Sequence, residues 1–395
     1  MSQRQAAPTQ DRYQALSLRR LFLTFLKLGA TAFGGPAMLA YMRTVVVEQQ
    51  HWLAEEPFQA GVALCQTIPG ATAMQMTAYV GFRLRGVAGA AVSFLGFGLP
   101  AFLLMLVLSA LYVRMAGLPT AIAAFHGLQA IIIAIVAHAT RSLGRASLHT
   151  WQDGLIALAG AGLFGWGLHP MLVILVAAVC GRVLLRRPSL APLAAEVAWP
   201  TRLPRPLLSL VALTVGGCLL LFVLDRRLFA LAVLMFRLDV FAFGGGFASV
   251  PLMFHEIVEV RAWMDGPTFL DGIALGQITP GPIVMTATFV GYVLAGVLGA
   301  MIATVSVFLA SFVIVVGMVP FFDRLQRSGA AQQALSGIVC SVVGLLLTVT
   351  VRLAWAIPWD LPREVLASAA FGALVLQVDL LWVVLIGTAL SVVVF

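Results

Sequence analysis

Two short phrases in this chain combine residue types that can hold an anion, and each occurs twice. The first joins an amide, a hydroxyl and a proline–glycine step. It is Gln66, Thr67, Pro69 and Gly70 in "QTIPG", then Gln277, Thr279, Pro280 and Gly281 in "QITPG". The second is a glycine pair behind a phenylalanine, Gly34–Gly35 and Gly244–Gly245. Amides and hydroxyls hydrogen-bond an oxyanion or satisfy broken backbone. A proline removes one backbone donor and clashes with the preceding turn. Each glycine costs about 1 kcal/mol relative to alanine in a helix. Both phrases therefore interrupt helices, and a half-helix starting after them presents free amides and its positive dipole end. Packing glycines and a proline kink would explain one copy. Two break types recurring in register argue for a lined cavity. Thr67 and Thr279 are out of register, with Ile68 and Ile278 interleaved, so the hydroxyls are not symmetric.

Charged residues flank these breaks. Lys27 and Arg237 each stand six residues before the phenylalanine of the glycine phrase. A cation at that depth is costly unless it faces a cavity, snorkels or finds a partner. Facing a cavity, it would help neutralise a divalent anion. Asp239, opposite Gly29 of the first copy, is the local partner for Arg237 or a proton-coupling group. Glu48 and Glu259, with Trp52 and Trp263 four residues on, read as interfacial anchors or gating groups. Arg83 and Arg85 read as topology signals that could also concentrate anions at a mouth. His126 and His138 have no counterparts and read as core residues. Cys65, Cys180, Cys218 and Cys340 are scattered through apolar segments and give no disulfide or metal spacing. No metal or cofactor is expected. There is no HExxH, no serine–histidine pair and no Walker A loop, which argues against an enzyme or an ATP-driven pump.

The elements that must position these residues are membrane helices. The 395 residues are 61% hydrophobic and 10% charged, with mean hydropathy +1.01. That leaves too little charge to cover a soluble surface. The net charge of +8 sits between apolar segments, where it sets orientation and faces anionic lipid rather than nucleic acid. "LRRLFLTFLKLGATAF" imitates a signal peptide, but Lys27 interrupts its core and the FGG phrase recurs in mid-chain. It reads as mature protein. Apolar segments fall near 18–47, 58–80, 87–112, 120–140, 153–168 and 170–185, then 207–224, then 228–257, 268–290, 297–318, 330–355, 366–378 and 380–395.

The two sets of six are a duplication. Phe33 aligns with Phe243, Glu48 with Glu259, "ALCQTIPG" (63–70) with "ALGQITPG" (274–281), and "GFRLRGVAGA" (81–90) with "GYVLAGVLGA" (291–300). The expected domains are a first repeat over 1–185, a linker with bridging helix over 186–227, and a second repeat over 228–395. An even number of crossings plus one bridging helix inverts the second copy. Arg83 and Arg85, replaced by Val293 and Ala295, support this by charge. Arg12, Arg19 and Arg20 place the N-terminus in the cytoplasm, as Arg141 and Arg145 do their loop, while Arg226 and Arg227 argue weakly the other way. The fold class is an all-α polytopic membrane protein of two inverted halves with broken helices, the architecture of secondary transporters.

With these blocks in this order, the chain resembles the chromate ion transporter family in its long two-domain form. The resemblance covers essentially the whole chain. It implies export of chromate across the cytoplasmic (inner) membrane, driven by ion gradients or membrane potential, and chromate resistance. The coupling ion would be a proton or a counter-anion, and a second copy of the chain is a candidate partner. Amides, hydroxyls and one or two cations suit a tetrahedral dianion better than a cysteine or carboxylate cage. Sulfate has the same shape and charge, so a sulfate transporter or a channel-like anion pathway remains the alternative.

Overall fold

Hydrocarbon offers the backbone no hydrogen-bond partners, so a chain this apolar must close its own bonds, and helices do that within one segment. The computed structural model describes residues 16–32, 35–115, 117–185, 205–322, 325 and 328–395. Phe33, Gly34, Arg12 and the 186–204 linker lie outside the described residues. Among the described residues there are fifteen α-helices and no strand. Four apolar stretches are long enough to cross a bilayer: Thr72–Met115, Pro119–Ser147, Ile283–Met318 and Gly329–Trp355. The chain is a multi-pass membrane protein.

In the first copy, α1 (Leu18–Thr31) leads to α2 (Gly35–Arg43), which runs on into a π-helical turn, Thr44–Gln49. Then follow α3 (Glu55–Thr67), α4 (Thr72–Met115), α5 (Pro119–Ser147), α6 (Trp151–Gly165) and α7 (Pro170–Leu184). The bridge is α8 (Arg205–Leu224). The second copy repeats the series as α9 (Arg226–Val240), α10 (Ser249–Phe254) with the π-turn His255–Val260, α11 (Gly266–Ile278) and α12 (Thr286–Met318). It closes with α13 (Gly329–Trp355), α14 (Leu361–Val375) and α15 (Leu380–Val394).

The duplication extends to backbone angles. Helix α4 breaks at Arg85 (φ −142°, ψ 23°) and Gly86 (φ 62°, ψ −152°). Helix α12 breaks at Ala295 (φ −148°, ψ 31°) and Gly296 (φ 60°, ψ −147°). The positive φ is why a glycine ends each first limb. The limbs then fold back closely, because a Cβ on Gly81 would strike the Gly89 carbonyl, and one on Gly291 that of Gly299.

The apolar segments 18–47 and 58–80, which look like simple crossings in the sequence, are hairpins that enter and return. Arg85 Nη1 donates to the Leu16 carbonyl at 2.9 Å, which sets the start of α1 level with the Gly86 turn. Arg20 Nη2 donates to Gln50 Oε1 at 2.8 Å, so the end of the π-turn comes back to the same face. Tyr79 Oη donates to the Pro57 carbonyl at 2.8 Å, and Gly61 sits against the Tyr79 ring. These contacts pair α3 antiparallel with the 72–84 limb. Gly272 sits in the same way against the Phe289 ring in the second copy. Each hairpin starts and ends at one face, so it adds no crossing to the count. The second limb of α4 (87–115) and α5 are the long spans. α6 and α7 pack on α13 through Gly344 against Ala157 and Gly181 against Gly337.

A single crossing by α8, between two copies that each begin and end at one face, would put equivalent turns on opposite sides. Val87→Cys and Val297→Cys, each on a background without the four native cysteines, are expected to label with an impermeant maleimide from opposite faces of the membrane. Labelling from one face would contradict the inverted pair.

Candidate functional site

The breaks leave backbone groups that only protein can satisfy, and the two copies satisfy each other's. Gly70 N–H donates to the Ala242 carbonyl at 2.9 Å, and Gly281 N–H donates to the Ala32 carbonyl at 3.3 Å. The PG tip of each copy is thus bonded to the glycine-rich break of the other. Gly246 packs on Ile283, which joins the two pairs into one largely buried centre with Gly244 exposed at its edge. Gly70 (φ 121°), Gly244 (φ 88°), Gly245 (φ 95°) and Gly281 (φ 119°) hold conformations that side-chain-bearing residues rarely adopt. Gly34 lies outside the described residues, and Gly35 opens α2.

The side chains of the phrases differ between copies. Gln66 is exposed, whereas Gln277 Nε2 is buried and has no hydrogen-bond partner. An unpartnered amide donor at a break is free for an acceptor. The threonines do not act as expected. Thr67 Oγ1 donates to the Ala63 carbonyl at 2.6 Å and Thr279 Oγ1 to the Leu275 carbonyl at 2.7 Å. Each hydroxyl bonds back to i−4 in its own helix, and Thr279 Oγ1 also lies 3.6 Å from Met105 Sδ. Pro69 accepts from Gln75 Nε2 at 2.5 Å. Pro280 is buried in the second tip.

The two cations also part company. Lys27 is exposed and lines a groove of about 400 Å³ between the limbs of the first hairpin, together with Arg19, Arg20, Tyr41 and Gln50. Among the described residues, no acidic one lines that groove. Arg237 pairs not with Asp239 but with Glu256, through Nη2 to Oε1. Glu256 also accepts from His169 Nε2 at 3.0 Å and lies 3.4 Å from Arg261 Nε. Its side chain is 3% exposed. By the match of the two π-turns, Glu256 stands where the first copy has Val45. The equivalent groove of the second copy is therefore filled by the protein's own carboxylate.

The remaining candidates sit at the faces. Glu48 pairs with Arg43, which also holds Glu55 at 2.8 Å. Glu259 accepts from Arg352 Nη1 at 2.5 Å and meets His255 Nδ1 at 2.8 Å. Arg85 anchors the start of α1, and Arg83 is half-buried on the same limb. Asp239 is fully buried beneath the first tip, beside Ser311 and Gln75. Sequence reasoning missed Gln75, Ser311 and Glu256. It also missed Asp271, which accepts from Tyr112 Oη at 2.9 Å and Gln129 Nε2 at 2.8 Å. The signal was present: Ser311, Glu256 and Asp271 replace Ala101, Val45 and Ala60 of the first copy.

Comparison with known proteins agrees with the duplication. The family model described as Chromate transporter matches twice, over residues 19–182 and 229–392. An uncharacterized transporter of Methanocaldococcus jannaschii is 42% identical over 95% of this chain and 94% of its own length. A chromate transport protein of Pseudomonas aeruginosa is 32% identical over 91% of this chain and 86% of its own. Another, of Cupriavidus metallidurans, is 30% identical, covering 89% and 86%. No solved structure matches the chain.

The positive φ at the tips sets a measurable cost. Gly70→Ala and Gly281→Ala should each lose on the order of 1–3 kcal/mol of stability. Gly154→Ala, in open space inside α6, should gain roughly 0.5–1 kcal/mol. Thermal melting of the purified protein in detergent reads both. Equal melting temperatures for tip and control variants would contradict the strained tips.

Proposed function

The chain belongs to the chromate transporter family, and from that premise we propose that it exports chromate from the cytoplasm as a secondary transporter of the cytoplasmic membrane, and so confers resistance. The observation that carries this reading is the acid-free basic groove of the first hairpin. Arg19, Arg20 and Lys27 line it, and the helix that carries them leads to Ala32, which is bonded to the second tip. Lys27 is five residues before Ala32, or about 7.5 Å along a helix, and Ala32 holds Gly281 of the second tip. Gln277, with its unpartnered amide donor, belongs to that same hairpin. A dianion entering the groove thus meets cations first and a neutral donor next. That sequence suits a charge that must shed water without being trapped.

The groove opens at the face where α1 begins. If basic segments stay inside, that face is cytoplasmic, which loads the carrier from the side an exporter must use. An inside-negative potential then favours departure of each net negative charge by about 2.3 kcal/mol per 100 mV. Coupling to a proton or a counter-anion sets how much of that drive is used. Sulfate, with the same shape and charge, is the expected competitor and the alternative substrate.

Chromate uptake into everted vesicles tests the reading. Lys27→Met should raise the apparent KM roughly fivefold to tenfold, equivalent to about 1 kcal/mol, and flatten its dependence on ionic strength. Lys27→Arg should be milder, since it keeps a cation at that depth. Sulfate should compete. Wild-type vesicles that carry no chromate, or a methionine variant with unchanged KM and salt dependence, would overturn the proposed path.

A further inference from the structure

The duplicated scaffold has Gly29 and Ala101 in its first copy and Asp239 and Ser311 at the same places in its second. These two departures from symmetry meet each other. Ser311 Oγ lies 2.5 Å from Asp239 Oδ2 and accepts the Ala71 N–H at 2.9 Å. A Cβ added at Gly70 would stand 3.2 Å from Asp239 Oδ2 and would strike Ser311 Oγ. The carboxyl is therefore wired, through one hydroxyl, to the amide that opens the 72–84 limb at the first tip.

Asp239 is 0% exposed, and its Oδ1 has no hydrogen-bond partner. Gln75 meets Gly70 through Nε2, and its buried Oε1 has no donor. Charged neighbours are lacking too. Arg237, on the same helix, is engaged by Glu256. Helices α8, α10 and α12 pack on α9, and their titratable residues are Arg205 and Cys218 on α8 and Tyr292 on α12. The tip 68–71 has none. A buried carboxylate served by one hydroxyl is costly, and the neutral acid costs far less. A proton on Oδ1 removes the charge that this site leaves without a counter-ion.

Position gives this proton a consequence. An ionised carboxylate and a dianion in one dry centre repel strongly, because little water screens them. We propose that Asp239 is the proton-binding residue of this transporter: the buried centre accepts an oxyanion only while this carboxyl carries a proton, so that one proton and one dianion occupy it together. The inference rests on the anion-transport reading above. It makes the moving unit carry one net negative charge, which an inside-negative potential still drives outward. By linkage, each makes the other bind more tightly.

The test is chromate transport by everted vesicles between about pH 6 and pH 9, a range in which fully buried carboxyls titrate, with proton movement followed in weak buffer. In wild type the apparent affinity should fall roughly tenfold per pH unit on the alkaline side, the slope for one linked proton. Protons should accumulate with chromate. Asp239→Asn, which holds the carboxyl permanently neutral, should keep only the pH dependence of chromate itself and move chromate without protons. Ser311→Ala, the residue that the first copy has at this place, removes the hydroxyl that favours the carboxylate and should move the fall to higher pH. If Asp239→Asn does not reach the membrane, an unshifted Ser311→Ala profile overturns the proposal. Identical profiles in all three proteins, or a wild-type affinity that follows sodium and not pH, would also overturn it while leaving chromate transport standing. Wild-type vesicles that move neither chromate nor sulfate overturn both.

Discussion

Backbone that is broken inside hydrocarbon must find its hydrogen bonds within the protein, and here each copy finds them in the other. The Gly70 to Ala242 and Gly281 to Ala32 bonds close the breaks in pairs. A buried unpaired backbone group costs as much as a lost hydrogen bond or more, so neither copy can hide its tips alone. This couples the two halves at their least helical points. It also explains why the tips carry glycine, since only a residue without Cβ holds φ near +120° there without strain.

On that shared frame the chemistry is unequal. Gly29, Val45, Ala60 and Ala101 of the first copy are Asp239, Glu256, Asp271 and Ser311 in the second. The polar replacements do not scatter. Asp239 meets Ser311, Glu256 meets Arg237 and His169, and Asp271 meets Tyr112 and Gln129. A scaffold that stays folded with small apolar residues at these places does not need the polar ones for its fold. Their clustering is the main chemical difference between the two copies.

Much of this was legible in the sequence. The breaks show as glycines and prolines in register, and the turns at Gly86 and Gly296 as matching phrases, because backbone geometry leaves few residue choices there. The returning hairpins were not legible. A stretch such as 58–80 has the length and apolarity of one crossing, and nothing in composition separates it from two short limbs with a tip between them. The threonines look like ligand donors by type, and only the geometry shows their hydrogens committed to i−4 carbonyls. Asp271 draws partners from 159 and 142 residues away, a distance no local pattern spans. Glu256 sits three residues before Glu259, and the eye goes to the acid that has a matching partner in the other copy.

That overlooked acid gives the strongest internal reason to read the first hairpin as an anion path. In the second copy, Arg237, His169 and Arg261 converge on one carboxylate that is almost wholly buried. The space between those limbs is thus complementary to an oxyanion, and the protein fills it with its own. The first copy keeps the cation, as Lys27, but puts Val45 in place of the acid and Gln50 in place of Arg261. Gln50 then accepts from Arg20, which adds a further cation to the same wall. The cost of a cation at this depth is offset in one copy by a tethered anion. In the other it is met by a groove open to water, where a mobile anion can take the tethered one's part. The same inverted frame therefore presents one side closed by an internal ion pair and one side open and basic.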